Sequence, residues 1–266
     1  MKHPVFDPAW PEDVKALYRH DMQEIWDRSI APQVWNQYHN QLDLYLGMAG
    51  SAPLRILDVG CAQGTLALML AERGHRVVAV DIRQQFLDYA RSRHSRGDIE
   101  FLCANALEDD LPGPFELVFA NQIVEHLVYP DRLLDRLRNA LAPGGRLVIT
   151  TPNGAYVKNR LPSYDDLGDP RHWEHLQFTA DGDGHFYAYR AQELERIFIQ
   201  AGFEAVEVRY FETPFINGHL KLRYLHRHAP VSALRLLDRC VLHATPFGSR
   251  LGYQMLATGV WKGGGT

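Results

Sequence analysis

From Pro11 to about Met48 the apolar positions Val14, Leu17, Tyr18, Ile25 and Trp26, then Val34, Trp35, Tyr38, Leu42 and Tyr45, recur at helical spacing. That pattern predicts two amphipathic helices. It then changes to short apolar runs between helical stretches: strand Leu54–Val59, helix Gln63–Arg73, strand Arg76–Asp81, helix Gln84–His94, strand Ile99–Cys103. The alternation continues with strand Phe115–Asn121, helix Pro130–Leu141 and strand Arg146–Thr150, and Pro143-Gly144-Gly145 reads as the stop between the last two. Continuous apolar runs of that length, spaced by helices, belong to strands buried on both faces of a parallel sheet.

Beyond Thr150 the pattern breaks. Thr151–Tyr189 is rich in Pro, Gly, Asp and aromatic residues and reads as an irregular insertion over the strand ends. Helix Ala191–Ala201, with Gly202 as its stop, and strand Phe203–Phe211 restore the rhythm. A basic, partly helical segment from about Pro214 to Pro246 then precedes a final strand, Tyr253–Trp261. A chain of 266 residues suits one α/β domain with insertions. We therefore expect a helical segment over 1–50 and a sheet domain over 51–266, with substrate insertions at 151–189 and 212–250.

Charge and cysteine usage narrow the function. The net charge of −4 lacks the basic excess that sequence-independent nucleic-acid binding needs, so no nucleic-acid partner is expected. Cys61, Cys103 and Cys240 are too few and scattered for a disulfide framework or a four-ligand zinc site. No stretch approaches the ~18 apolar residues of a membrane span, and Met1–Pro8 has no signal-like core. The localisation expected on these grounds is cytoplasmic.

The chemistry concentrates at Ile56-Leu57-Asp58-Val59-Gly60-Cys61-Ala62-Gln63-Gly64. A strand ending in a Gly-rich turn before a helix puts backbone N–H groups and a carboxylate at the sheet edge where doubly wound folds bind ligands. Gly60 and Gly64 let the chain turn tightly and a nucleoside approach. Taken alone, the turn matches dinucleotide sites nearly as well, or a βα turn with no ligand. The next strand ends at Asp81, 21 positions beyond Gly60 (81 − 60), where a carboxylate can accept from both ribose hydroxyls. Nicotinamide enzymes share that feature, and capping the following helix is its plain structural alternative.

Three further segments decide between these readings: Phe101–Leu107, Phe115–Leu127 and Leu141–Ile149. With the glycine turn, in this order and spacing, they resemble the class I S-adenosylmethionine-dependent methyltransferase family, most nearly its ubiquinone-type, small-molecule O-methyltransferase subgroup. The resemblance is strong over Leu54–Thr150 and looser over His185–Val208. It implies a doubly wound, Rossmann-like α/β sheet of seven strands, the last antiparallel, with N-terminal helices and a helical cap insertion. It further implies S-adenosylmethionine as cofactor, S-adenosylhomocysteine as product and a small-molecule acceptor. Asp58, Gly60 and Gly64 would surround the methionine part and Asp81 hold the ribose, with Cys61, Ala62, Gln63 and Ile82 also binding the cofactor. Asn105 and Ala106 would lie against adenine, Asn121 and Gln122 beside the sulfonium. The chain departs from the family in having Ala62 for Gly, and Asn105 for Asp, whose amide oxygen can still accept from the adenine amino group.

Methyl transfer needs alignment and exclusion of water, and a base only where the acceptor holds its proton tightly. For a hydroxyl acceptor the candidates are His126 and His185, since imidazole titrates near neutrality, with Glu125 to orient His126 or bind substrate. Packing of the loop is the competing reading of all three. The subgroup carries another Glu where this chain has Gln122, so no required metal is expected. Tyr156, Tyr164, Trp173, His175, Phe178 and Tyr187 offer aromatic walls for the acceptor, or a small core of the insertion itself. The basic segment, Lys221 to Arg239 interleaved with leucines, reads as a helical lid with a solvated charged side; peripheral contact with a membrane or a lipid-linked glycan is its alternative. The expected activity is O-methylation of a small metabolite or glycosyl hydroxyl. N- or C-methylation and a non-catalytic S-adenosylmethionine-binding protein are the alternatives, and a homodimer is left open. A nicotinamide oxidoreductase is disfavoured, because no Tyr-x-x-x-Lys follows the fifth strand.

Overall fold

The computed structural model describes residues 1–177, 184–244 and 247–263. In chain order the regular elements are α1 (Glu12–Asp21), α2 (Pro32–Ala49), β1 (Arg55–Val59), α3 (Thr65–Glu72), β2 (Arg76–Asp81), α4 (Gln84–Arg93), β3 (Asp98–Cys103), β4 (Phe115–Asn121), α5 (Pro130–Asn139), β5 (Leu141–Pro152), α6 (Ala191–Gln200), β6 (Glu204–Phe211), α7 (Pro214–Asn217), α8 (Val231–Ala244), α9 (Gly248–Leu251) and β7 (Gln254–Trp261). The strand order is 3-2-1-4-5-7-6. That is the doubly wound α/β sheet of seven strands that the family resemblance implies.

Met1–Ala104 together with Glu212–Cys240 forms one compact unit, and Asn105–Phe211 with Val241–Thr266 the other. In the first unit β2 lies between β1 and β3, all parallel, with Ile56 opposite Val77 and Val77 opposite Ile99. Ile56, Leu57, Ala79 and Val80 are fully buried, as strands covered on both faces require. The N-terminal helices attach here: Val14 and Leu17 of α1 pack with Phe86 and Tyr89 of α4, and Trp10, Tyr18 and Ala62 close around that cluster. The last part of the first predicted helix, Met22–Trp26, forms a π-helical turn directly after α1.

In the second unit β4 and β5 run parallel, whereas β7 pairs antiparallel with both β5 and β6. Phe115, Phe119, Leu147, Ile149, Phe198, Met255 and Ala257 form its core. One expectation changes here. Helix α5 ends at Asn139, two residues before the expected Leu141, and Pro143-Gly144-Gly145 lies inside β5 and is no loop before it. Phe115 pairs with Leu141 and Leu117 with Arg146, so the extra residues are absorbed as a bulge. Gly145 suits it because a Cβ there would meet the carbonyl oxygens of Ala142 and Phe115, both at 2.8 Å. Among the described residues no helix is long and apolar enough to cross a membrane.

Candidate active site

In the first unit the turn after β1 is left-handed at three positions, Gly60 (φ 67°), Ala62 (φ 45°) and Gly64 (φ 72°). Gly64 must also lack a side chain, because a Cβ would come within 2.7 Å of the Ala90 Cβ of α4. Ala62 occupies a conformation that costs a non-glycine residue roughly 1 kcal/mol or more, and its methyl is what packs on the α1–α4 cluster. The buried Asp81 carboxylate accepts from Ala62 N (2.9 Å) and Arg83 N (3.0 Å), with Arg83 Nε at 3.6 Å. Asp58 is buried, and desolvation, followed by the negative charge of Asp81, pushes its carboxyl up to about 7. Two buried acceptors at the ends of adjacent strands suit a ligand bringing hydroxyls and a positive charge, as a nucleoside bearing an amino acid does. The Cys61 thiol is buried and its pKa raised, so it is held as an inert thiol. Ile82 offers its carbonyl to Cys103 Sγ at 3.6 Å.

The same turn has partners that sequence reasoning missed. Gln63 Nε2 donates to Glu24 Oε2 (2.8 Å) in the π-helical turn and to the Tyr38 hydroxyl (3.1 Å) in α2. Beneath it the Arg93 guanidinium, wholly buried, donates to Gln63 O (2.6 Å) and Thr65 Oγ1 (3.1 Å) and pairs with Asp21 at 2.8 Å. Asp21 in turn accepts from Trp26 Nε1 and Tyr89 OH. Burial first, and the charge of Asp21 second, push the Glu24 carboxyl up to about 8. Nothing in the sequence around Glu24 marks it; the π turn, a feature frequent at functional sites, aims it at the glycine turn.

The second unit holds the remaining candidates. Asn105 N donates to Asp109 Oδ2 and Asn105 Oδ1 accepts from Leu107 N, so this residue organises its own turn, which includes Ala106. Asn121 Oδ1, at the end of β4, accepts from Thr150 Oγ1 at 3.0 Å. Gln122 is left-handed (φ 55°), and its amide donates to Thr150 Oγ1 (3.2 Å) and Gln254 Oε1 (3.0 Å).

Residues Glu125 and His126 lie in the short helical turn that follows, and the structure brings His185 to them from some 60 positions away. The buried Glu125 carboxyl accepts from Thr151 Oγ1 at 3.1 Å, lies 4.0 Å from His185 Nε2, and is pushed up to about 8 by desolvation. The His126 and His185 rings meet edge to face at 4.5 Å, and His126 Nδ1 lies 3.3 Å from Gly184 O. A carbonyl only accepts, so Nδ1 carries the proton in that contact. One atom from each of Glu125, His126 and His185 lies within 4.8 Å of the others. Such a trio can pass a proton between its members or take a divalent cation. Tyr187 fixes the loop from below: its buried hydroxyl has Val124 O at 2.6 Å and Leu127 O at 2.8 Å.

The aromatic residues of the insertion divide. Tyr187 and Tyr156 are buried, Tyr164 packs on Tyr187 and Tyr189, and Trp173 stacks on Phe186 while donating to Leu167 O. These side chains pack as a small aromatic core, the second of the two readings open for them in the sequence. Phe178 lies outside the described residues.

A family model described as "Methyltransferase domain" matches residues 18–208. The chain belongs to this methyltransferase family. S-adenosylmethionine is the cofactor that membership carries, and the two buried carboxylates at the glycine turn suit it. The ubiquinone biosynthesis O-methyltransferase of Idiomarina loihiensis is 35% identical over 103 residues, which is 37% of this chain and 42% of that protein. The match therefore spans less than half of that relative's length. Among solved structures, a S-adenosylmethionine-dependent methyltransferase from Mesorhizobium loti superposes with a TM-score of 0.58 at 20% identity, covering 85% of this chain and 97% of that one. Magnesium protoporphyrin IX methyltransferase from Synechocystis, with S-adenosylhomocysteine bound, gives 0.52 at 14% identity over 96% and 90%. At these identities the methyltransferase's likeness to them is one of fold.

Proposed function

We propose that this methyltransferase transfers a methyl group to a hydroxyl oxygen of a small metabolite or sugar, with the Glu125–His126–His185 cluster handling the proton. The observation that carries this reading is the cluster itself: a buried carboxyl 4.0 Å from one imidazole, and a second imidazole packed on the first. When bound, the cofactor supplies an already electrophilic methyl. The chain's own residues then have two tasks, to align the acceptor oxygen and to take its proton as the O–C bond forms and the S–C bond breaks. His126 takes that proton through Nε2, since Nδ1 faces Gly184 O; Glu125 and His185 adjust its charge. On the cofactor side Asp81 holds the ribose and Asp58, Gly60 and Gly64 the methionine part. Asn105 and Ala106 bound the adenine, and Asn121 and Gln122 border the sulfonium.

A turnover assay with labelled cofactor and a panel of hydroxyl acceptors tests the reading. His126→Ala lowers kcat by about 10²-fold or more, the usual share of a positioned base, while cofactor affinity in calorimetry stays unchanged. Full turnover in both His126→Ala and His185→Ala would dismiss base catalysis by this cluster. Loss of activity in a chelator, restored by one divalent metal, would instead make the trio a metal centre. Labelled methyl appearing only on nitrogen or carbon would remove the hydroxyl acceptor.

A further inference from the structure

The segment Gly218–Cys240, inside the first unit, carries Lys221, Arg223, Arg227, Arg235 and Arg239 against one acid, Asp238. Its net charge is +4 in a chain whose total is −4, which leaves −8 on everything else. Asp238 is buried and accepts from Thr213 N, so it does not dilute the charge outside.

The same segment turns its apolar side chains outward. Along α8, Leu234 and Asp238 are buried, while Ala233, Leu236, Leu237 and Cys240 are exposed. Those four sit at i, i+3, i+4 and i+7, the spacing of a stripe that normally faces a core. Leu236 is 58% exposed and Leu237 44%. In the helical turn Leu222–Arg227, Tyr224 and Leu225 are exposed as well, and just before it Leu220 is 52% exposed. Leu220 and Lys221 are both left-handed (φ 53° and 65°), a rare and costly state for non-glycine residues that here keeps a leucine in solvent.

This outward turn is held in place by polar contacts beneath. His226 is buried with its Nδ1 2.9 Å from Asn36 Nδ2, and Arg28 donates to its carbonyl at 3.2 Å. Gln33 donates to Asn217 O, and Arg235 pairs with Asp43 at 2.8 Å. The connection 228–230 keeps the facing ends of the two helical pieces within about 14 Å of each other. Around the leucines Lys221, Arg223, Arg227 and Arg239 are exposed.

We propose that this face docks on an anionic lipid bilayer, with the leucines and Tyr224 entering the headgroup boundary and the cations meeting lipid phosphates. Leucines flanked by arginines fit that boundary, where apolar burial and headgroup charge act together. A second copy of the chain fits less well, since a symmetric contact would oppose like charges. A nucleic acid would leave the leucines without a partner.

The test is sedimentation of the full chain with vesicles of phosphatidylcholine alone or mixed with phosphatidylglycerol, at low and high salt. Binding is expected to the mixed vesicles, with little to phosphatidylcholine, and to weaken as salt screens the headgroups. Arg223→Glu/Arg227→Glu should weaken it by at least about fivefold for each charge removed, and Leu236→Asp/Leu237→Asp should abolish it. Cofactor affinity, measured by calorimetry, should match wild type in every variant, which shows that each is folded. Failure of the wild type to bind mixed vesicles overturns the proposal, as does equal binding by the leucine variant. A wild-type dimer in solution that the leucine change dissolves, without vesicle binding, would also overturn it in favour of self-association. None of these outcomes depends on the methyl acceptor.

Discussion

Two acidic clusters show how differently one chain can build a site. At the glycine turn, Asp58 and Asp81 close adjacent strands, and Asp81 is held by the backbone N–H groups of Ala62 and Arg83 and by the Arg83 guanidinium. Beside it, the Arg93–Asp21 pair fastens the turn to the N-terminal helices. In the second unit Glu125 has one hydroxyl donor and two imidazoles, one of them 38% exposed and drawn from a distant segment. The first arrangement is structural and pre-formed: its acceptors are fixed before any ligand arrives. The second keeps a nearly uncharged carboxyl beside groups that exchange protons, which suits chemistry better than binding.

Breaking the first cluster should have the largest effect. Arg93→Met leaves Asp21 buried without its cation, and loss of one partner of a buried pair costs about 3–5 kcal/mol. Chemical denaturation should register that loss together with weakened cofactor binding. Stability no lower than wild type would mean that the pair does not hold the turn. By contrast His126→Ala, in the second cluster, should change turnover far more than the denaturation midpoint.

A pH titration sharpens the comparison at smaller amplitude. Folding raises Glu24, Glu125 and Glu212 to about 8 and Asp58 to about 7, mainly by burial. A carboxyl whose folded pKa exceeds its unfolded one contributes stability fully below the unfolded value and loses it as pH climbs through the folded value. The histidines whose pKa burial lowers, His39, His75 and His226, act in the opposite direction only below their ordinary 6.5. Between pH 6.5 and 8 the cofactor-free protein should therefore lose on the order of 1–2 kcal/mol for each carboxyl at about 8 and about 1 kcal/mol for Asp58. Melting temperatures across that window report it, and Glu212→Gln should flatten the slope. A stability that rises from pH 6.5 to 8 would contradict the buried, proton-holding carboxyls.

The smallest effect belongs to Ala62. Changing it to Gly relieves left-handed strain of about 1 kcal/mol but removes a packed methyl worth about 0.8 kcal/mol. Calorimetric melting should place the variant within about 1 kcal/mol of wild type. A deficit above about 2 kcal/mol would show the methyl contact with the α1–α4 cluster to be the stronger term.

Most of the sheet was legible because each strand is a short apolar run bounded by turn residues. Phe115–Asn121 and Arg76–Asp81 emerge with the expected bounds. The bulge in β5 was not legible, since Pro143-Gly144-Gly145 carries the same local signal whether the chain leaves the sheet or only swells within it. Glu24 was equally hidden: a single acid in an amphipathic helix looks like a solvated one, and a π turn, set by how the helices pack, redirects it. For the tyrosines of the insertion, composition could not separate a pocket wall from a core. That difference depends on the partner each ring finds.

By itself, the sequence determined the alternation of elements, the left-handed glycine turn and the carboxylates that end β1 and β2, because these follow from local sterics and hydrophobic period. The tertiary structure alone decided that His185 joins Glu125 and His126, that Arg93 is buried beneath Gln63, and that α8 shows leucines to solvent. Contacts between residues far apart in the chain, and the choice of which helical face is covered, are settled by packing and desolvation of the whole fold, and no local pattern encodes them.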